Sequence, residues 1–136
     1  MHANTYVNFN GQCAEALRFY EKTMGGKIEM LTTFAQSPMA AQMPEAMKDK
    51  VVHARIRLGD TIVMASDAPP ERYGKPQGMM LSLTVDSPAD AERIFAALSD
   101  GGNVTMSLQQ TFFAHRFGMV TDRYGIPWMV NCEKAG

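Results

Sequence analysis

The sequence predicts an α+β fold: two βαβββ modules joined into a curved eight-stranded mixed sheet, with the helices on its convex face. Three observations carry that expectation. The order strand, helix, three strands runs twice along the 136 residues. The chain closes on a strong hairpin, Thr111 to Cys132, in which two runs of aromatic and β-branched residues flank a turn at Asp122-Arg123-Tyr124-Gly125. A weak internal echo relates the halves, with Val7 and Phe9 mapping onto Leu83 and Val85, Gly25-Gly26 onto Gly101-Gly102 and Met30 onto Met106 at one constant offset. A βαβββ unit covers one sheet face with its helix and leaves the other bare, so two such units can enclose a pocket.

In chain order, Tyr6-Val7-Asn8-Phe9 alternates as a strand with Val7 and Phe9 inward. Asn10 is the expected N-cap of a helix over Gly11–Met24, whose Cys13, Ala16, Leu17, Tyr20 and Met24 make one apolar stripe before Gly25-Gly26 stops it. Lys27–Phe34 reads as a strand. Residues 35–50 carry two prolines and no clear period, so they read as a long loop or a short helical excursion, an insertion of the kind that covers sites. Val51–Leu58 and Thr61–Asp67 form a hairpin across Gly59-Asp60, and residues 68–78 connect the modules. The second module opens with a strand over Met79–Val85. Ser87-Pro88-Ala89-Asp90 starts a helix, with a capping Ser, Pro at the first helical position and an acid at the third. Ala91, Ile94, Phe95 and Leu98 form its buried stripe, and Asn103–Gln109 is the next strand. In the last strand the period of two separates Ile126, Trp128, Val130 and Cys132, which suit a core beneath a helix, from Pro127, Met129 and Asn131, which suit a cavity wall. The modules span about 4–68 and 78–133 of a single domain covering 1–136.

Composition narrows the function classes. A hydrophobic fraction of 46% with 20% charged residues describes a soluble globular chain, and its length suits one well-cored domain. A net charge of −1 and the lack of any Lys/Arg run offer nothing to nucleic acid or to an anionic membrane. No apolar run approaches the ~20 residues that span a bilayer. The start, MHANTYVNFNG, has no basic-then-apolar leader pattern, and two cysteines do not make a disulfide framework. A cytoplasmic protein with reduced, packed thiols is expected. Twelve Met supply adaptable, polarizable side chains that fill cores and line permissive pockets.

Three segments, FNGQCAEALRFYEKTMGG, HARIRLGDTIVMASDAPP and PADAERIFAALSDGGNVTMSLQQTFFAHRFGMVTDRYGIPWMVNC, resemble the vicinal oxygen chelate (glyoxalase/bleomycin-resistance) superfamily, and within it the PhnB-like branch. The resemblance implies paired βαβββ modules, a small-molecule pocket on the concave sheet face and a homodimer. Some relatives carry a name linking them to ubiquinone methylation. Nothing here supports that label, since no strand leads into a Gly-rich loop opening a helix, as a nucleotide-type cofactor requires. Metal-dependent members place His, Gln or Glu at four inward strand positions, which by strand phase fall here on Asn4, Met64, Met80 and Met129. Three thioethers and an amide are poor ligands for a hard or borderline divalent ion. The expectation is a pocket with no metal and no cofactor. A soft ion such as Cu(I) tolerates thioethers, but a Met-lined apolar cavity is far commoner, and plain core filling competes with both readings.

The remaining candidates are weighed against blander roles. His53 and His115 lie on strands that precede hairpin turns and have the chemistry for acid–base work, although a histidine on a solvated face is the commoner case. Arg116 has the fork to clamp a carboxylate or phosphonate, against a plain ion pair with Asp122 or another acid. Arg116 and His53 each precede a turn by the same interval, so equivalent places in the two modules are expected. Phe113 and Phe117 offer flat contacts, whereas Trp128 belongs with the core. Tyr6, Asn8, Ser66, Ser82 and Thr84 fall on the cavity faces. No Ser/His/Asp or Cys/His arrangement is readable.

The function expected first is therefore small-molecule binding, with or without turnover, independent of metal. Tyr6, Met64, Ser66, Met80, Ser82, Phe113, Arg116 and Met129 are its candidate substrate contacts, and His53, His115 and Arg116 its weak catalytic candidates. A metal-dependent lyase, isomerase or dioxygenase is the alternative within the superfamily, and bound stoichiometric metal separates the two. A non-catalytic, antibiotic-sequestering dimer is the third reading, marked by tight binding without product.

Overall fold

The computed structural model describes residues 1–134, which divide into two compact units, Met1–Tyr73 and Gly74 onward. The first contains β1 (Thr5–Phe9), α1 (Cys13–Met24), β2 (Lys27–Thr33), β3 (Val51–Leu58) and β4 (Thr61–Asp67). The second contains β5 (Leu81–Thr84), α2 (Pro88–Ser99), β6 (Asn103–Gln109), β7 (Ala114–Thr121) and β8 (Pro127–Glu133). Each unit holds one four-stranded mixed sheet, in the order β1-β4-β3-β2 and β5-β8-β7-β6. In both, the first strand lies parallel to the last and the other pairs are antiparallel. The α+β class and the doubled βαβββ order are thus as the sequence predicts.

Alternation assigns one face of each sheet to its helix. In β3 and β4, Ala54, Ile56, Val63 and Ala65 meet the Cys13, Ala16, Leu17 and Tyr20 stripe of α1, and all are buried. In β8, Trp128, Val130 and Cys132 join Ala91, Ile94, Phe95 and Leu98 of α2 in a second core, with Ile126 just ahead of the strand. The Ser87 hydroxyl caps α2 by accepting from the Asp90 amide at 3.1 Å.

The first helix starts differently from the sequence expectation. Its N-cap is Gln12 without a side-chain bond, because Gly11 adopts φ +92° and turns the chain before Cys13. The orphan amide of Cys13 goes instead to the Asp67 carboxylate at 2.9 Å, whose other oxygen accepts the Val51 amide at 2.9 Å. One buried carboxylate thereby pins the start of α1, the start of β3 and the end of β4. On the helix stripe, Thr23 is buried where Met24 was expected.

Other boundaries shift by a few residues. Phe34 leaves β2 and is buried in the first of three short 3₁₀ turns, Phe34–Gln36, Ala40–Gln42 and Glu45–Met47, which give the expected loop its structure. Met79, Met80 and Val85 lie outside β5, and Thr111–Phe113 outside β7. No helix among the described residues is long and apolar enough to cross a membrane.

Candidate functional site

The sheet faces turned away from the helices hold most of the side chains that the sequence suggested as contacts. On the first sheet, Cα register sets Tyr6 of β1, Met64 of β4, Arg55 of β3 and Met30 of β2 in one row across all four strands. The next row holds Asn8, Ser66, His53 and Thr32, where the Ser66 hydroxyl donates to Asn8 Oδ1 at 3.2 Å. A diagonal contact links the rows: the Tyr6 hydroxyl lies 3.2 Å from His53 Nδ1, and the two rings stack at 5.7 Å with a 27° interplanar angle. His53 is thus satisfied by a phenol on the open face, which unites two residues the sequence suggested separately.

The second sheet repeats the geometry with other side chains. Ser82, Met129, Met119 and Met106 form the equivalent row, followed by Thr84, Asn131, Phe117 and Gln109. Three thioethers on adjacent strands make this row softer and less polar than its counterpart. Phe113 packs edge-on against Phe117 at 5.1 Å, with Phe112 edge-on to Phe113 at 5.1 Å. The side-chain oxygen of Asn131 is buried without a hydrogen-bond partner. By register, Phe117 and not Arg116 occupies the place equivalent to His53.

Arg116 lies elsewhere. Its Cα partner is the buried Cys132, so it belongs to the helix face, and its Nε meets Glu92 of α2 at 3.0 Å while Nη1 donates to the His115 carbonyl. The ion-pair reading is the observed one, with Glu92 as the acid in place of Asp122. Asp122 itself is buried and receives the Tyr124 and Ile126 amides and the Trp128 indole N–H at 2.9–3.0 Å, which builds the closing hairpin. His115 is exposed at a register shift in β7.

Of the four positions implied for a metal, Met64 and Met129 stand on the central strands, with Asn4 and Met80 just ahead of β1 and β5. The donor set does not fit a hard or borderline divalent ion, and the described residues contain no group of three His, Cys, Asp or Glu that fits one.

A groove of about 700 Å³ lies at the loop end of the first unit, where the sequence suggested a covering segment but named no lining residue. Met43, Met47 and Lys50 of the 35–50 segment face Asn10, Gln12 and Pro70 across it. The sequence signal was that segment's Met-rich, proline-interrupted composition.

The family model of the Glyoxalase/Bleomycin resistance protein/Dioxygenase superfamily matches residues 2–130. The chain belongs to that superfamily. Protein YjdN of Escherichia coli K12 is 33% identical over 142 aligned residues, covering 98% of this chain and 97% of the relative. Among solved structures, protein PA1353 from Pseudomonas aeruginosa shares 46% identity with a TM-score of 0.89, over 99% of both chains. The PhnB protein from Bacillus cereus, at 22% identity and a TM-score of 0.82, covers 97% of this chain and 99% of its own, a likeness of fold. Superfamily membership accounts for the doubled module, and it directs attention to the sheet faces that the helices leave open.

Proposed function

We propose that the protein binds a small organic molecule on the open sheet faces without the help of a metal ion. One observation carries the reading: the central-strand positions of the two sheets, where metal-dependent relatives are expected to present ligands, hold Met64 and Met129 amid further thioethers. Thioethers adapt to varied apolar shapes and leave a divalent charge uncompensated. Tyr6, Ser66 and Ser82 supply hydrogen-bonding groups beside them, Met80 leads into β5, and Phe113 offers an aromatic edge.

The PhnB-like branch is our narrower reading, resting on the three sequence segments, with the shared fold of the Bacillus cereus protein compatible with it. A homodimer is proposed on the exposed apolar side chains of the second unit. The free, buried Cys13 and Cys132 support a reducing, cytoplasmic setting.

Elemental analysis of purified protein, paired with thermal melts with and without a chelator, tests metal independence. Substoichiometric metal and an unchanged melt are expected. A stoichiometric divalent ion whose removal abolishes ligand binding overturns the reading.

A further inference from the structure

We propose that the open face of the first unit recognises the oxyanion of its ligand, with Arg55 as the anchoring cation. The inference rests on the small-molecule reading above and names the ligand's chemical class: a carboxylate, phosphate or phosphonate on a flat or apolar body.

Arg55 stands at the middle of the sheet, with Met30 and Met64 as its register partners on either side. Its strand neighbours Ala54 and Ile56 are buried beneath α1, so alternation sends Arg55 to the open face, where it is half-buried. The other arginines divide into two kinds. Arg57, Arg93, Arg116 and Arg123 each pair with an acid. Arg18 and Arg72 lie exposed to water. Arg55 alone is half-buried with no ion-pair or hydrogen-bond partner among the described residues. Partial desolvation of a guanidinium costs free energy that protein partners normally offset, and here none does. Its planar fork matches a two-oxygen anion, to which it donates two parallel hydrogen bonds.

The surroundings fit the rest of such a ligand. His53, bonded through Nδ1 to the Tyr6 hydroxyl, brings a second polar group to the same face. The stacked Tyr6 and His53 rings give a flat surface, and Met30 and Met64 give soft apolar contact. Glu29, the acid nearest along β2, is already held by Arg57 at 2.9 Å.

Titration calorimetry with benzoate, phenylphosphonate and neutral benzyl alcohol tests the inference on the full chain. Wild-type protein is expected to bind at least one of the anions more tightly than the alcohol, and the preferred anion identifies the oxyanion. Arg55→Gln is expected to weaken anion binding by about ten- to a hundredfold while leaving the alcohol unchanged. Lys22→Gln, which removes the same charge from the exposed side of α1, is expected to change nothing. If wild-type protein binds the alcohol as tightly as the anions, or if Arg55→Gln retains anion affinity, oxyanion recognition is wrong and small-molecule binding stands. If none of the three probes binds, both readings fall. The wild-type comparison decides the question even if the Arg55 variant does not fold.

Discussion

Cys13 shows how residue chemistry follows from packing and not from position alone. As the first residue of α1 it stands where a helix ordinarily depresses a thiol pKa. Burial instead pushes Cys13 up from its ordinary 9.0 to about 12, with the Asp67 carboxylate adding to the shift. That carboxylate already takes the Cys13 amide, so the helix terminus faces a negative charge. The sign of the consequence is fixed. A thiol that ionises near 9.0 unfolded and near 12 folded leaves stability intact below pH 9 and removes it as pH rises toward 12. The loss approaches about 1.4 kcal/mol per pH unit in that window. Urea unfolding at pH 8 and at pH 10.5 should therefore show a drop that shrinks by about 2 kcal/mol in Cys13→Ala. Equal drops in the two proteins would refute the argument. The other misreadings at this scale share a cause. Spacing marks Arg116 as a ligand candidate and gives no signal at Arg55, because pairing state is set by partners such as Glu92, distant in sequence and invisible to spacing.

Strand phase made most of the elements legible. Alternation alone separated Trp128, Val130 and Cys132 from Met129 and Asn131, and it placed Tyr6, Met64 and Ser66 on the uncovered side. It failed for Arg116, expected to match His53 by its distance from the turn, because the two hairpins do not close at equivalent pairs: Leu58–Thr61 lies one step further from the Met64 row than Thr121–Pro127 lies from the Met129 row. The N-terminus of α1 was misread for a related reason: its cap comes from Asp67, on the last strand of the unit. Element packing yields its own prediction at Gly118. A Cβ there would stand 2.8 Å from Phe95 Cε2 of α2 and 2.9 Å from the Leu108 Cα of β6, so both the helix and the neighbouring backbone resist it. Gly118→Ala is expected to cost about 1–3 kcal/mol in chemical denaturation. Gly74→Ala, with nothing within 4 Å, is expected to be neutral or slightly stabilising. Similar values for the two would mean that β6 and α2 yield freely around β7.

For the whole molecule, the distribution of exposed apolar surface is uneven, and the second unit holds most of it. Phe112 is 92% exposed, Met79 77% and Val104 42%, and β6, at the edge of its sheet, is exposed along almost its entire length. An edge strand with free backbone groups and apolar side chains invites pairing with another chain unless something covers it. That surface supports the homodimer proposed above. Sedimentation at micromolar concentration should give a species of twice the 15.0 kDa chain mass. Val104→Lys with Phe112→Asp should shift it to the single-chain mass while β6 keeps its place beside β7, since neither side chain belongs to the buried core. A wild-type protein that sediments only as one chain would leave β6 and Phe112 exposed without that partner, and the dimer would have to be abandoned.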